Sequence, residues 1–164
     1  MTGTPAPVPG LPTPVRDVSV RVLQNIGSCG PYAYVVAQFE PPDPRDGPPG
    51  PDGLELLNAV PERHLPPEFL PALRSGLVAG LDGVAATVLL TDGGFHEVDS
   101  SEPGFRLAGR CAGRAALIGA GLLPPHEAAS LPWTTWPGRP WLGPKRRAGR
   151  GAGGGTGRRG AGGP

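Results

Sequence analysis

Apolar and polar positions alternate with a period of two through DVSVRVLQ, residues 17–24, where Val18, Val20, Val22 and Gln24 point one way and Ser19, Arg21 and Leu23 the other. Alternation carried by β-branched residues predicts a half-buried strand. GSCGP, residues 27–31, is a turn, and YAYVVAQFE, residues 32–40, is a second strand. The prolines of PPDPRDGPPGPDG, residues 41–53, remove donors and fix φ, so that stretch is a long exposed loop. LELLNAV, residues 54–60, is a third strand, and VAATVLLT, residues 84–91, a fourth. Between them Phe69, Leu70, Leu73, Leu77 and Leu81 recur at helical spacing behind Pro66 and Pro67, which suit a helix entry. Gly76 and Gly80 weaken that helix by ~1 kcal/mol each relative to Ala. DGGFHEV, residues 92–98, makes a tight turn into a second helix reaching about Ile118, with Phe105, Leu107, Ala108, Cys111, Ala112, Ala115 and Ala116 as its buried stripe. The predicted order is βββαβα, an α+β two-layer sandwich with its helices on one face of a sheet.

Outside residues 15–118 the pattern fails. MTGTPAPVPGLPTP, residues 1–14, has five prolines and no charged side chain, and is expected to be an extended, mobile leader. Residues 119–144 form a Pro/Trp-rich extension holding Trp133, Trp136 and Trp141, and residues 145–164 a Gly/Arg-rich tail expected to be disordered. The 28 Gly and 24 Pro gather in these ends and in the 41–53 loop, so they do not argue against a folded centre of about a hundred residues. The net charge of +1 conceals a division. Residues 1–127 carry all 14 acidic side chains and 8 of the 15 Lys and Arg, a balance of −6, while residues 128–164 carry 7 basic side chains and no acid.

Chemistry-bearing patterns are sparse. The single lysine, Lys145, lies in no Gly-x4-Gly-Lys-Ser/Thr phosphate loop, so GTP hydrolysis is not expected of these residues. His64, His96 and His126 lie about thirty residues apart, which is not ligand spacing for zinc. There is no Gly-x-Ser-x-Gly elbow, and Cys29 and Cys111 are too few for a disulfide framework. No apolar run approaches the ~20 residues of a membrane span. The expectation is a cytoplasmic, monomeric, non-enzymatic protein with no cofactor and no metal.

Three segments narrow the fold further. HLPPEFLPALRSGL, residues 64–77, is similar to the elongation factor G pattern Ile-Pro-Lys-Glu-Tyr-Ile-Pro-Ala-Val, with Asn58 and Ala59 matching the Asn-Ala upstream. TDGGFHEVDSSEPGFRLAG, residues 91–109, closely resembles Asp-Gly-Ser-Tyr-His-Glu-Val-Asp-Ser-Ser-Glu followed by Phe-Lys. GSCGPYAYVV, residues 27–36, stands in the place of the family's Gly-Gly-Arg-Gly-Gln-Tyr-Gly loop. The chain thus resembles domain IV of elongation factor G, without the GTPase domain. The resemblance implies a domain that reaches into the decoding centre of the small ribosomal subunit, where two tip loops touch the tRNA–mRNA duplex. It places His96 at the tip with Gly93, Gly94 and Phe95 shaping its loop, and Gly27, Ser28, Gly30 and Tyr32 in the neighbouring loop. Cys29 stands where the family has arginine and Pro31 where it has glutamine, and both lose a hydrogen-bonding side chain. Between Leu81 and Val84 the family has several more residues.

Each feature also has a plainer reading. His96 can donate to phosphate or ribose or stack on a base, or be an ordinary turn histidine. Asp99, Ser100 and Ser101 most simply cap the second helix, with Glu102 at the positive end of its dipole. Lys145, Arg146, Arg147, Arg150, Arg158 and Arg159 suit non-specific nucleic-acid binding by counterion release, or merely solubilise the terminus. The tryptophans could bind a protein partner, though packing back onto the domain is the stronger expectation. The leading expectation is a non-catalytic module for the small subunit, its rRNA and the tRNA–mRNA pair. Alternatives are a repurposed protein-interaction module and, less favoured, a ribosome-protection factor.

Overall fold

The structure, a computed structural model, describes residues 8–23, 32–47 and 50–140. Gln24, Gly27, Ser28, Cys29, Gly30, Pro31, Trp141 and the Gly/Arg-rich tail lie outside the described residues.

Strands β1 (Val15–Leu23) and β2 (Tyr32–Glu40) pair antiparallel, with Val20 opposite Val35 and Val22 opposite Ala33. Val18, Val20 and Val22 are wholly buried, as the alternation requires. A bulge shifts the register between Val15 and Val18, and there Asp17 takes a φ of 54°. Gln38 holds that conformation from the facing strand: its Oε1 accepts from the Asp17 amide at 2.9 Å and its Nε2 donates to Asp17 Oδ1 at 3.0 Å. Strand β3 (Leu54–Asn58) runs parallel to β4 (Ala86–Gly94), the two joined by helix α1 (Leu70–Leu81). A 3-10 turn at Pro67–Phe69 leads into α1. β4 also pairs antiparallel with β2, and helix α2 (Glu102–Gly119) packs on β1 and β2. The expected βββαβα order is present, and a two-residue strand, β5 (Thr134–Thr135), completes the sheet order β3-β4-β2-β1-β5.

Helices α1 and α2 meet backbone to backbone. A Cβ added at Gly76 would stand 2.0 Å from Arg106 O, one at Gly80 2.3 Å from Arg110 O, and one at Gly109 2.3 Å from Leu73 O. Glycines four apart on both helices therefore form one seam, which Gly113 continues against Leu81. The helix propensity lost at Gly76 and Gly80 is offset by this close packing. Phe105, Ala108, Ala112, Ala115 and Ala116 are fully buried, whereas Leu107 is only partly so. Past the end of α1, Asp82 (φ 48°) and Gly83 (φ 83°) are both left-handed and turn the chain directly into Val84, whose amide bonds Leu81 O at 3.0 Å. This is where the shorter connection noted in the sequence falls. Helix α2 ends in a Schellman arrangement, with Leu122 N on Leu117 O at 2.8 Å and Gly121 at φ 79°.

Both flanking segments join the domain. The mobile leader expected over residues 1–14 differs from the structure in its second half. There Leu11 is 2% exposed, Ala85 N donates to Pro9 O at 2.8 Å, and Leu11 N donates to Ala85 O at 2.8 Å. One buried leucine and two backbone bonds outweigh the local proline content. The extension wraps back too. β5 pairs with Ser19 and Val20 of β1, Arg21 N donates to Trp133 O at 3.0 Å, and Leu131 and Trp136 are buried in the core.

Candidate nucleic-acid interface

At one end of the sheet the first residue of β2, Tyr32, lies beside the β4–α2 connection. Gly93 and Gly94, expected in a tight turn, instead finish β4, opposite Val35 and Tyr34. Cross-strand pairing with a β-branched and an aromatic residue overrides the turn preference of the two glycines. Gly93 is a packing residue: an added Cβ would lie 3.3 Å from Tyr34 O and 3.4 Å from the Leu65 side chain. The loop proper starts at Phe95. Its ring is half-buried, 6.3 Å from Phe69, which stacks on Phe105 at 4.6 Å, so Phe95 anchors the loop to the core instead of projecting from it.

His96, Glu97 and Val98 form the projecting part, with the His96 side chain 58% exposed and Val98 76% exposed. The three residues expected to cap α2 divide the work. Ser101 is the cap, its Oγ accepting from Gly104 N at 3.3 Å. Ser100 ties the loop to the start of β2. Its Oγ accepts from His96 N at 2.8 Å and donates to Tyr32 O at 2.8 Å. Asp99 adds a second tie, its carbonyl accepting from Tyr32 N at 3.1 Å. The result is one tip built from two segments about seventy residues apart in sequence. His96 Nδ1 sits 3.3 Å from Val98 N and 3.3 Å from Asp99 Oδ2. As a lone pair it accepts from the Val98 amide, and as an N–H it donates to the Asp99 carboxylate; it cannot do both at once. Either way Nδ1 is held and the far edge of the ring faces outward.

Beside the tip, on the sheet face away from the helices, is an open pocket of about 440 Å³ bordered by Arg21, Tyr32, Tyr34, Arg63, Asp92 and Gly94. The Arg21 guanidinium lies 4.7 Å above the Tyr34 ring, and Tyr34 OH donates to Asp92 Oδ2 at 3.3 Å. Of these, only Tyr32 and Gly94 were singled out beforehand, by the resemblance to the family's tip loops. Arg21 and Tyr34 were legible as outward-facing strand positions, but their stacking needs the register that sets Arg21 opposite Tyr34. Val98 was also missed, although an apolar residue two positions past a turn histidine is a signal that could have found it. On α2, Arg106 and Arg110 stand four residues apart on an exposed edge.

Elsewhere the chemistry is structural. Burial pushes the Cys111 thiol above its ordinary value of 9.0, with Thr134 and the charge of Arg110 offsetting part of the rise. It lies in the core beneath β5 and is not poised as a nucleophile. Among the described residues no group of three His, Cys, Asp or Glu could hold a metal ion, and no helix is long and apolar enough to cross a membrane.

Comparison with known proteins is consistent with this geometry. The family model for elongation factor G, domain IV, matches residues 12–121. Among solved structures, the chain is similar to the crystal structure of a protein from Thermus thermophilus, with a TM-score of 0.51 and 20% identity. That likeness covers 69% of this chain and 18% of the other, so the chain spans under a fifth of the protein whose fold it shares.

Proposed function

The chain belongs to the elongation factor G domain IV family, and from that premise we propose that it is a non-catalytic ribosome-binding module whose tip, at the His96 loop, engages the RNA of the small-subunit decoding region. One observation carries the reading: Ser100 and Asp99 fasten the exposed His96–Val98 loop to Tyr32 at the start of β2. A preorganised tip loses little conformational freedom on docking. It presents an imidazole edge to phosphate or ribose and an apolar Val98 to a base. Binding here is by contact alone, since these residues contain no phosphate loop to couple it to nucleotide hydrolysis.

The acidic balance of residues 1–127 opposes RNA at long range, and the cationic residues of 145–164 offset it. The tail therefore supplies salt-sensitive attraction and the tip supplies position. The protein-interaction alternative is weakened at Trp136, which is 6% exposed and packed in the core. Co-sedimentation of the full chain with isolated small subunits across a salt series is the test. Binding at physiological salt is expected, weakened about three- to tenfold by His96→Ala. If replacing the tail cations abolishes binding while His96→Ala changes nothing, the tail alone is sticky and the reading fails.

A further inference from the structure

The open pocket beside the tip is chemically distinct from the tip itself. We propose that it is a binding site for one unpaired nucleobase of RNA, preferentially guanine, stacked on the Arg21 guanidinium over Tyr34, with its N–H edge on Asp92 and a flanking phosphate on Arg63. The inference deepens the RNA-binding reading above and names a ligand for a surface that reading does not use.

Charge is the first support. No Asp or Glu lies outside the described residues, and neither Arg21 nor Arg63 has an Asp or Glu carboxylate within salt-bridge distance. Both border the same pocket as the Asp92 carboxylate, which pairs with neither, so the pocket keeps one positive charge in excess for an incoming phosphate. Arg63 is further oriented by His64, whose Nε2 accepts from Arg63 Nε at 3.3 Å, leaving the terminal nitrogens for phosphate oxygens.

Stacking is the second. A guanidinium held 4.7 Å over a tyrosine ring is a preformed cationic platform, and guanidinium planes are surfaces on which unpaired bases stack. The third is the carboxylate. Asp92 Oδ1 accepts from Gly93 N at 2.9 Å and Oδ2 from Tyr34 OH at 3.3 Å, which uses two of its about four lone-pair sites. The remaining two can accept the adjacent N1–H and N2–H of guanine. Uracil offers one donor and cytosine or adenine an amino group alone. The missing side chain of Gly94 keeps the floor open, since a Cβ there would stand 3.4 Å from the Tyr34 ring and 3.6 Å from Tyr32 OH.

The test is fluorescence anisotropy of the full chain with a labelled uridine nonamer carrying one central guanosine, against the all-uridine nonamer, at physiological salt. The guanosine RNA is expected to bind about tenfold tighter. Asp92→Asn, nearly isosteric, should erase the preference while leaving all-uridine binding in place. Gly94→Leu should fill the pocket at contact distances the backbone tolerates, and Arg21→Ala should remove the platform. Thermal melts of each variant separate loss of site from loss of fold. Equal affinity for the two RNAs, or a preference that Asp92→Asn and Gly94→Leu leave intact in folded protein, overturns the inference. Small-subunit co-sedimentation of the same preparations keeps the two ideas apart. Subunit binding without guanosine preference sinks only the base site, and guanosine preference without subunit binding sinks only the ribosomal reading.

Discussion

Ser100 shows how much one hydroxyl can decide. It accepts from the loop that carries His96 and donates to Tyr32 at the start of β2, so removing it frees two backbone groups at once. Because the site is partly buried, Ser100→Ala is expected to lower stability by about 1–3 kcal/mol. Amide exchange should quicken selectively at His96, with little change in the core strands. Uniform acceleration across the domain would show that Ser100 is a general stability residue and not a loop tie. The sequence pointed to this residue for a different job. A serine just ahead of an amphipathic run suggests a helix cap, and among Asp99, Ser100 and Ser101 only the chain path shows which oxygen faces the helix and which faces Tyr32.

Elements were legible where a local pattern and the tertiary environment agree. Strand β2 falls on the residues its alternation predicts, because one face is fully buried and the other is not. Strand β4 runs three residues past its predicted end, since the pairing that extends it depends on a partner about sixty residues away in sequence. The glycines of α1 illustrate the same limit in reverse. By propensity they are weaknesses; against α2 they are the only residues that fit. Gly109→Ala should therefore destabilise the domain by about 1–3 kcal/mol or more, although alanine is the better helix former. A chemical denaturation midpoint unchanged or raised by the substitution would mean that the helices move apart at no cost. The candidate site was half legible for a related reason. His96 and its loop are contiguous, whereas Arg21, Tyr34, Arg63 and Asp92 come from four parts of the chain and meet only in the sheet.

At the scale of the molecule, the folded unit is larger than its hydrophobic periodicity suggested. The family match ends at residue 121, yet Ala128, Leu131 and Trp136 complete the core beyond it. The reason is geometric. Short 3-10 turns and a two-residue strand have no period long enough to detect, and prolines disguise buried positions as linker. The division of charge, by contrast, was fully readable, because it depends on composition and not on contacts.

The two-residue strand β5 has one more consequence. An uncovered outer strand offers a row of free amides and carbonyls to any similar strand in solution. Thr134, Thr135 and the Trp133 carbonyl occupy the middle of that row on β1. A chain cut after residue 121, at the boundary the family match suggests, would bare β1 and part of the core together. Light scattering at rising concentration should find the full chain monodisperse and the shortened one self-associating. An equally monodisperse short form would show that the rim of β1 guards itself. On this view the segment that looks like an appendage is what keeps one copy of the molecule from becoming the next strand of another.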